Sequence, residues 1–310
     1  MPAVKNIRSL KDILAVAKKL PGNKTLALIA ADQEEGLKCV DDAFQNGIIK
    51  PLLVGDKAKI TKLARSLKIS LRGMDILDEP DPKAATLKVV AMCRSGEVDI
   101  LMKGSVNTDV VLRAVLDREK GIGLGKLLSN VTAFDSPTHK RLMFLTDPAV
   151  NINPDASRKV EMIRNAIWVA NRLGFKRPKI ALLAAVEKIN PKDMPCTADA
   201  AIIAKMAESG QINGAEIAGP YALDLALSKH AAECKNVTGP VAGCADVLVC
   251  PDIHSANILY KSLVYFSNVH VANAMVGVKA PIVMSSRSDS KLTKLYTMAL
   301  SVMLAGEQQA

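Results

Sequence analysis

Short apolar runs alternate along this chain with longer stretches in which apolar residues recur every three or four positions. Leu10, Ile13, Leu14, Ala17 and Leu20 recur at helical spacing. Residues 25–30 (TLALIA) then read as a compact strand, and 34–46 as a helix that stops before Gly47. The alternation continues with a strand at 48–54, a helix at 56–68, a short strand at Ile76-Leu77 and a helix at 83–95. Pro82 stands where a first helical turn tolerates proline. A strand at 99–102 and a helix at 107–119 close the first half. In the second half a strand at 142–145 precedes a helix at 155–173, opened by Asp155 and closed at Gly174. Residues 180–186 (IALLAAV) are a continuous apolar run, the mark of a strand buried on both faces. A helix at 197–209, a strand at 215–218, a helix at 222–234, a strand at 246–250 and a helix at 256–267 follow. A strand at 274–278, the run 281–284 and a last helix at 289–305 end the chain.

Strand and helix alternating this regularly predict crossover connections, hence an α/β fold with a mostly parallel sheet covered by helices on both faces. In such sheets ligands bind where strands give way to helices at their carboxyl ends. The pattern breaks at Asp135-Ser136-Pro137, which marks a domain boundary near 135–140. A length of 310 residues suits one large or two linked domains.

Composition narrows the classes of function. Hydrophobic residues make up 49% and charged residues 23%, which excludes wholesale disorder. Aromatics are only 3%, with the single tryptophan Trp168, too few for a surface that stacks on bases. The net charge of +10 is scattered and interrupted by acids, as in Lys57, Lys59, Lys62 and Arg65 followed by Asp75, Asp78 and Glu79. No nucleic-acid partner is expected; a cationic enzyme that attracts an anionic substrate fits the charge, and a solubilising surface accounts for most of the lysines. The six cysteines form no Cys-x-x-Cys pair and read as reduced, mostly buried thiols. Charges interrupt the first 14 residues, and no span reaches about 18 uninterrupted apolar residues, so neither export nor membrane insertion is expected and the protein reads as cytoplasmic.

Three strand-to-helix turns carry candidate chemistry. In DILMKGSVNT a strand ends on Lys103, Gly104 and Ser105, and Asn107 and Thr108 open a helix that carries Arg113. Glycine admits a close approach to the backbone, the helix start offers free N–H groups, and Lys103 adds a full positive charge, a combination suited to phosphate. The plainer account is an ordinary turn with Asn107 or Thr108 as the helix cap. In PIVMSSRSDS a strand ends in polar residues around Arg287, whose planar fork matches phosphate oxygens two at a time. Ser288 or Asp289 is expected to cap the last helix as well. In PDIHSANILYK polar groups again open a helix, with Lys261 one turn beyond Asn257. Gly121–Lys126 (GIGLGK) imitates a nucleotide loop, but Leu127 stands where a Walker loop needs Ser or Thr and the segment follows a helix. It reads as a flexible turn. No His-Glu-x-x-His and no Gly-x-Ser-x-Gly occurs.

The runs MKGSVNTDVVLRAVL, FLTDPAVNINPD, IALLAAVEKINPKDMPCTADAA, GPYALDLALS, ADVLVCPDI, ANILYKSLVYF and KAPIVMSSRSDS resemble the phosphate acetyltransferase/phosphate butyryltransferase family, in order from about Asp99 onward. AVEKINPK and NILYKSLVYF look closer to the butyryl branch. The resemblance implies a two-domain isocitrate/isopropylmalate dehydrogenase-like fold with an interdomain cleft and a homodimer. It places 1–135 plus 282–310 in a first α/β domain and 136–281 in a second that carries the dimer interface. The implied reaction interconverts acyl-CoA plus phosphate with acyl phosphate plus CoA. Coenzyme A is then a substrate, and no cofactor or metal is needed.

By this resemblance Ser286 and Arg287 match the family's catalytic pair, with Arg287 on the phosphoryl group and Ser286 on the carbonyl or thiol. Arg113 matches an arginine near the phosphate. Lys103, Gly104, Ser105, Asn107 and Thr108 are expected to line the anion pocket, and Asn257 and Lys261 its opposite wall. The acetyl branch has an aspartate seven residues after its serine, where this chain has Thr293. Asp289 is the candidate to take part instead; the alternative is that no protein base is used. Ala256 also replaces the glycine usual before Asn257 in the butyryl branch, and His254 and Ser255 sit in a loop that usually differs. Competing readings are a phosphate acetyltransferase, a hydroxy-acid dehydrogenase of the same fold and a non-catalytic CoA-binding protein.

Overall fold

A computed structural model describes residues 7–20, 24–284 and 289–306. In chain order its elements are α1 (Leu10–Ala17), β1 (Lys24–Ile29), α2 (Glu34–Gln45), β2 (Ile49–Gly55), α3 (Lys57–Ser66), β3 (Asp75–Asp78), α4 (Pro82–Ser95), β4 (Ile100–Lys103) and α5 (Thr108–Val115). They continue with β5 (Ser129–Ser136), β6 (Arg141–Thr146), α6 (Ala156–Arg172), β7 (Lys179–Leu183), α7 (Pro195–Glu208), β8 (Glu216–Tyr221), α8 (Leu223–Leu227) and α9 (Lys229–Cys234). The last are β9 (Val247–Val249), α10 (Ile253–Tyr265), β10 (Val271–Val276), β11 (Ile282–Val283) and α11 (Lys291–Leu304).

The chain divides into two compact units. One holds Leu10–Lys126 together with the chain from Ala272 onward. Its strands run β3-β2-β1-β4-β11-β10, parallel except for the β10–β11 pair. β1 and β4 lie side by side, with Leu26, Leu28, Ile100 and Leu101 fully buried. α11 is buried all round from Thr293 to Leu304, as befits a helix inside a core rather than on it. The other unit holds Leu127–Val271 with the residues up to Ser9, and its strands run β5-β6-β9-β7-β8. All its pairings are parallel except the β5–β6 hairpin. Phe134, Leu145, Leu248 and Tyr260 belong to its core.

Several expectations are corrected. The unit boundaries fall at 126/127 and 271/272 rather than at 135/136 and 281/282. β5 pairs along its length with β6, which keeps 129–136 with the second unit, and β10 pairs with β11, which draws 272–281 into the first. The polar break at 135–137 is the end of β5 and the first residue of the hairpin turn at 137–140, not a boundary. The helix expected over 222–234 is two helices, because Ser228 adopts extended φ/ψ and its hydroxyl caps α9 through Ala231 N. The cap of α11 is Ser290, which accepts from Thr293 N at 3.1 Å, not Asp289; Ser288 lies outside the described residues. The segment Gly121–Lys126 is tied down rather than flexible. Ile122 N donates to Val115 O and its carbonyl accepts from Lys279 N, both at 2.9 Å.

Candidate active site

The turn between β4 and α5 is the best-built of the three candidates, and its glycine works differently from the expectation. Gly104 N donates to Ile29 O at 2.9 Å and Ser105 N to Ala30 O at 3.2 Å, so the turn is stitched to the end of β1. A Cβ on residue 104 would meet the Ile29 carbonyl oxygen and stand 2.7 Å from that of Ala30. The close approach that demands glycine is therefore made by the neighbouring strand, not by a ligand. These two N–H groups are spent on β1. Asn107 takes an extended φ/ψ at the start of α5 without a side-chain cap bond, and Val110 N turns back to Asn107 O at 3.2 Å, which leaves the N–H groups of Thr108 and Asp109 as donors.

Beside this turn lies a cavity of about 130 Å³, lined in part by Lys103, Gly104, Ser105 and Asn107 and, from α2, by Gln33 and Glu35. The starts of α2 and α5 thus open onto one small space, and each presents unsatisfied N–H groups and a partial positive charge. Lys103 Nζ reaches back to Gly104 O at 3.3 Å at its rim. That is the chemistry of a site for a small oxyanion. Thr108 is exposed in the first turn of α5, and Arg113 is exposed farther along it, 3.8 Å from Asp109. Neither is among the residues that line the cavity.

The α2 contribution was missed in the sequence. Its signal was the same strand-to-helix rule, because Asp32-Gln33-Glu34-Glu35 follows TLALIA directly. Glu34 faces solvent and pairs with Lys38 at 2.6 Å, whereas Glu35 is half-buried and pairs with Lys294 of α11 on the wall of a neighbouring cavity. The Lys294 side chain is 7% exposed. Lys291, one turn earlier, pairs with Asp42 at 2.7 Å. Two lysines of α11 therefore clamp its start to α2. Burial pushes the Cys39 thiol up to about 11, only partly offset by Lys294, so Cys39 on the cavity wall is a poor nucleophile.

The segment that follows β11 holds Ser286 and Arg287, and both lie outside the described residues. Asp289 is described, half-buried just ahead of the Ser290 cap. Thr293 is buried, and its N–H and hydroxyl both engage Ser290. It is consumed in the cap and offers no base.

Asn257 and Lys261 stand on α10 in the other unit. Asn257 Nδ2 donates to Pro148 O at 3.0 Å, which fixes its amide. The loop that carries Pro148 is organised by Asp147, whose Oδ1 accepts from Ala149 N and Val150 N at 3.0 Å each and whose Oδ2 accepts from Asn151 Nδ2 at 2.6 Å. Burial pushes the Asp147 carboxyl above the usual carboxylate range, and those hydrogen bonds oppose the shift. Lys261 Nζ lies 5.5 Å from the Tyr260 ring centre and 5.7 Å from that of Tyr265, a pair of cation–π contacts that restrain its ammonium. His254 is exposed in the first turn of the same helix. Among the described residues no group of three or more His, Cys, Asp or Glu is placed to hold a metal ion, and no helix is long and apolar enough to cross a membrane.

Parallel strands feeding helix starts, with a lysine beside a small cavity, define an α/β protein whose cavity has the chemistry of an oxyanion site. The comparisons make this specific: residues 82–302 match the family model described as phosphate acetyl/butaryl transferase, and the chain belongs to that family. It is 41% identical to the phosphate butyryltransferase of Clostridium acetobutylicum over 302 residues, covering 97% of this chain and 100% of that one. It is 39% identical to the phosphate acetyltransferase of Thermotoga maritima, covering 91% and 95% of the two chains. The crystal structure of a branched-chain phosphotransacylase from Enterococcus faecalis superposes with a TM-score of 0.80 at 31% identity, covering 91% and 99%. A 4-hydroxythreonine-4-phosphate dehydrogenase from Burkholderia phymatum, at 11% identity and a TM-score of 0.57, shares the fold.

Proposed function

We propose that this chain is a phosphate acyltransferase. It interconverts butyryl-CoA or another short-chain acyl-CoA plus phosphate with the acyl phosphate plus CoA. The observation that carries this reading is the cavity at the Lys103–Asn107 turn, where two helix starts and a lysine converge in a chain of this family. The rest of the reading is a two-domain isocitrate/isopropylmalate dehydrogenase-like arrangement, a cytoplasmic homodimer with its interface on the second domain, and coenzyme A as a substrate with no metal or cofactor.

The reaction needs the phosphate held and its charge balanced, the carbonyl oxygen stabilised as it becomes anionic, and both substrates aligned. Lys103, Gly104, Ser105, Asn107, Thr108 and Arg113 belong to the phosphate side, with Gly104 acting through the shape of the turn. Arg287 grips the phosphoryl oxygens in bidentate fashion, and Ser286 serves the carbonyl or the thiol. Asn257 and Lys261 contact the acyl-CoA, their heads fixed by Pro148 and by the two tyrosine rings. In the direction that consumes CoA the thiolate is the nucleophile, and at neutral pH a thiol with pKa about 8.5 is only slightly ionised. With Thr293 engaged in its cap, Asp289 is the carboxylate assigned to that proton.

Mixing the purified protein with acetyl-CoA, propionyl-CoA or butyryl-CoA plus phosphate and following free thiol tests the reading. Thiol release that requires phosphate and is fastest with butyryl-CoA is expected. The fastest rate with acetyl-CoA would make the protein a phosphate acetyltransferase, and binding without turnover would leave a CoA-binding protein. Asp289→Asn is expected to lower turnover from acyl phosphate plus CoA about 100-fold and to shift its pH profile, on the scale of a lost general base. An unchanged profile would remove Asp289 from the mechanism.

A further inference from the structure

The acyl-transfer steps above leave Asp147 without a task. It is a carboxylate only 1% exposed, just past the end of β6. Taking a charge out of water is costly unless its oxygens are engaged, so the bonds they accept show what the residue does. Oδ1 accepts from Ala149 N and Val150 N, and Oδ2 accepts from Asn151 Nδ2. The backbone of Asn130 on β5 adds a further donor. Asn151 cannot turn its amide over: its Oδ1 accepts from Arg158 Nη2 in the first turn of α6 at 2.8 Å, and its Nδ2 also donates to Leu128 O at 3.0 Å. A carboxylate accepts and never donates, so it satisfies two loop N–H groups and this fixed amide at once, where an amide in its place would not. Residues 147–155 belong to no helix or strand, and these bonds give the loop its shape.

The loop in turn meets α10. β6 and β9 are parallel neighbours, with Thr146 beside Val249. The loop after β6 and the start of α10 therefore lie together at the carboxyl ends of two strands, where such sheets bind ligands. Ile253 N donates to Ile152 O at 2.9 Å, and Asn257 Nδ2 donates to Pro148 O at 3.0 Å. Asn257 is exposed. A surface amide can bond water at either end, so tying it to a loop carbonyl adds little stability and instead fixes where the rest of the amide points.

We propose that Asp147 is a positioning residue for acyl-CoA binding: it shapes the loop so that the Pro148 carbonyl holds the Asn257 amide in its binding orientation. This rests on the reading of Asn257 as a contact of acyl-CoA and names what keeps that contact in place.

Steady-state thiol release, with butyryl-CoA and phosphate varied in turn, tests this through a double-mutant cycle. Asn257→Ala is expected to raise the KM for butyryl-CoA about tenfold, the scale of one lost hydrogen bond, and to leave the KM for phosphate unchanged. Asp147→Asn is expected to do the same, because its amide sets an N–H against the fixed N–H of Asn151. The variant carrying both substitutions is expected to be no worse than Asn257→Ala alone. Exchanging the pair, Asp147→Asn with Asn151→Asp, again sets an acceptor against a donor and is expected to recover most of the lost butyryl-CoA affinity. Calorimetric titration with CoA makes the same comparison without turnover. A carboxylate that only stabilised the fold would lower kcat and leave both KM values, or its effect on KM would multiply that of Asn257→Ala; either result overturns the proposal. An exchange variant that recovers wild-type stability without recovering affinity also overturns it. So does an Asn257→Ala variant with the wild-type KM, which removes Asn257 from the site while phosphate-dependent thiol release by the wild type still upholds the acyl-transfer reading.

Discussion

Gly104→Ala is expected to abolish phosphate-dependent thiol release and to lower unfolding stability by about 3 kcal/mol, the upper range for forcing extra volume into packed structure. The added methyl has nowhere to go. It would meet the backbone carbonyls of Ile29 and Ala30, which accept the hydrogen bonds from Gly104 N and Ser105 N. Backbone cannot rotate aside as a flexible side chain can, so the turn must leave β1, breaking both bonds and displacing Lys103 and Asn107 from the cavity. Denaturant unfolding and the thiol assay on one preparation check both parts. Near-wild-type stability together with near-wild-type turnover would show that the turn is not held as described.

Arg287→Ala is expected to lower kcat about 1000-fold, the scale of removing one preorganised donor to a developing charge. The effect should fall on phosphate far more than on acyl-CoA, since the guanidinium is assigned to the phosphoryl oxygens. Arg287→Lys should recover only a small part of the loss, because a point charge lacks the planar fork. Steady-state rates with each substrate varied in turn check this. A variant that keeps kcat and loses only affinity for acyl-CoA would move Arg287 to the CoA side.

Much of the fold was legible because strand and helix alternate with clear periods. The strand-to-helix rule led directly to Lys103, Gly104, Ser105 and Asn107, which the structure brings together on one cavity. What escaped has physical reasons. β5 reads SNVTAFDS, and its Ser129, Asn130, Thr132 and Ser136 are buried polar residues, so no apolar run announced it. The break between α8 and α9 depends on the backbone of Ser228 in the middle of a helix-like pattern. That Gly104 is required was visible, but the sequence does not say whether a ligand or a strand makes the close approach. Glu35 was invisible for a different reason: its partner Lys294 stands 259 positions away, and only folding tells it apart from the exposed Glu34.

The most direct test of the central claim is to trap the product. Butyryl-CoA, phosphate and the purified protein are incubated, and hydroxylamine is added to capture any acyl phosphate as its hydroxamate. The account predicts butyryl hydroxamate in step with released thiol at a rate well above that of butyryl-CoA with hydroxylamine alone, and only that slow background when phosphate or protein is left out. Thiol release accompanied by free butyrate alone, with or without phosphate, would mean that water and not phosphate receives the acyl group, and would contradict it.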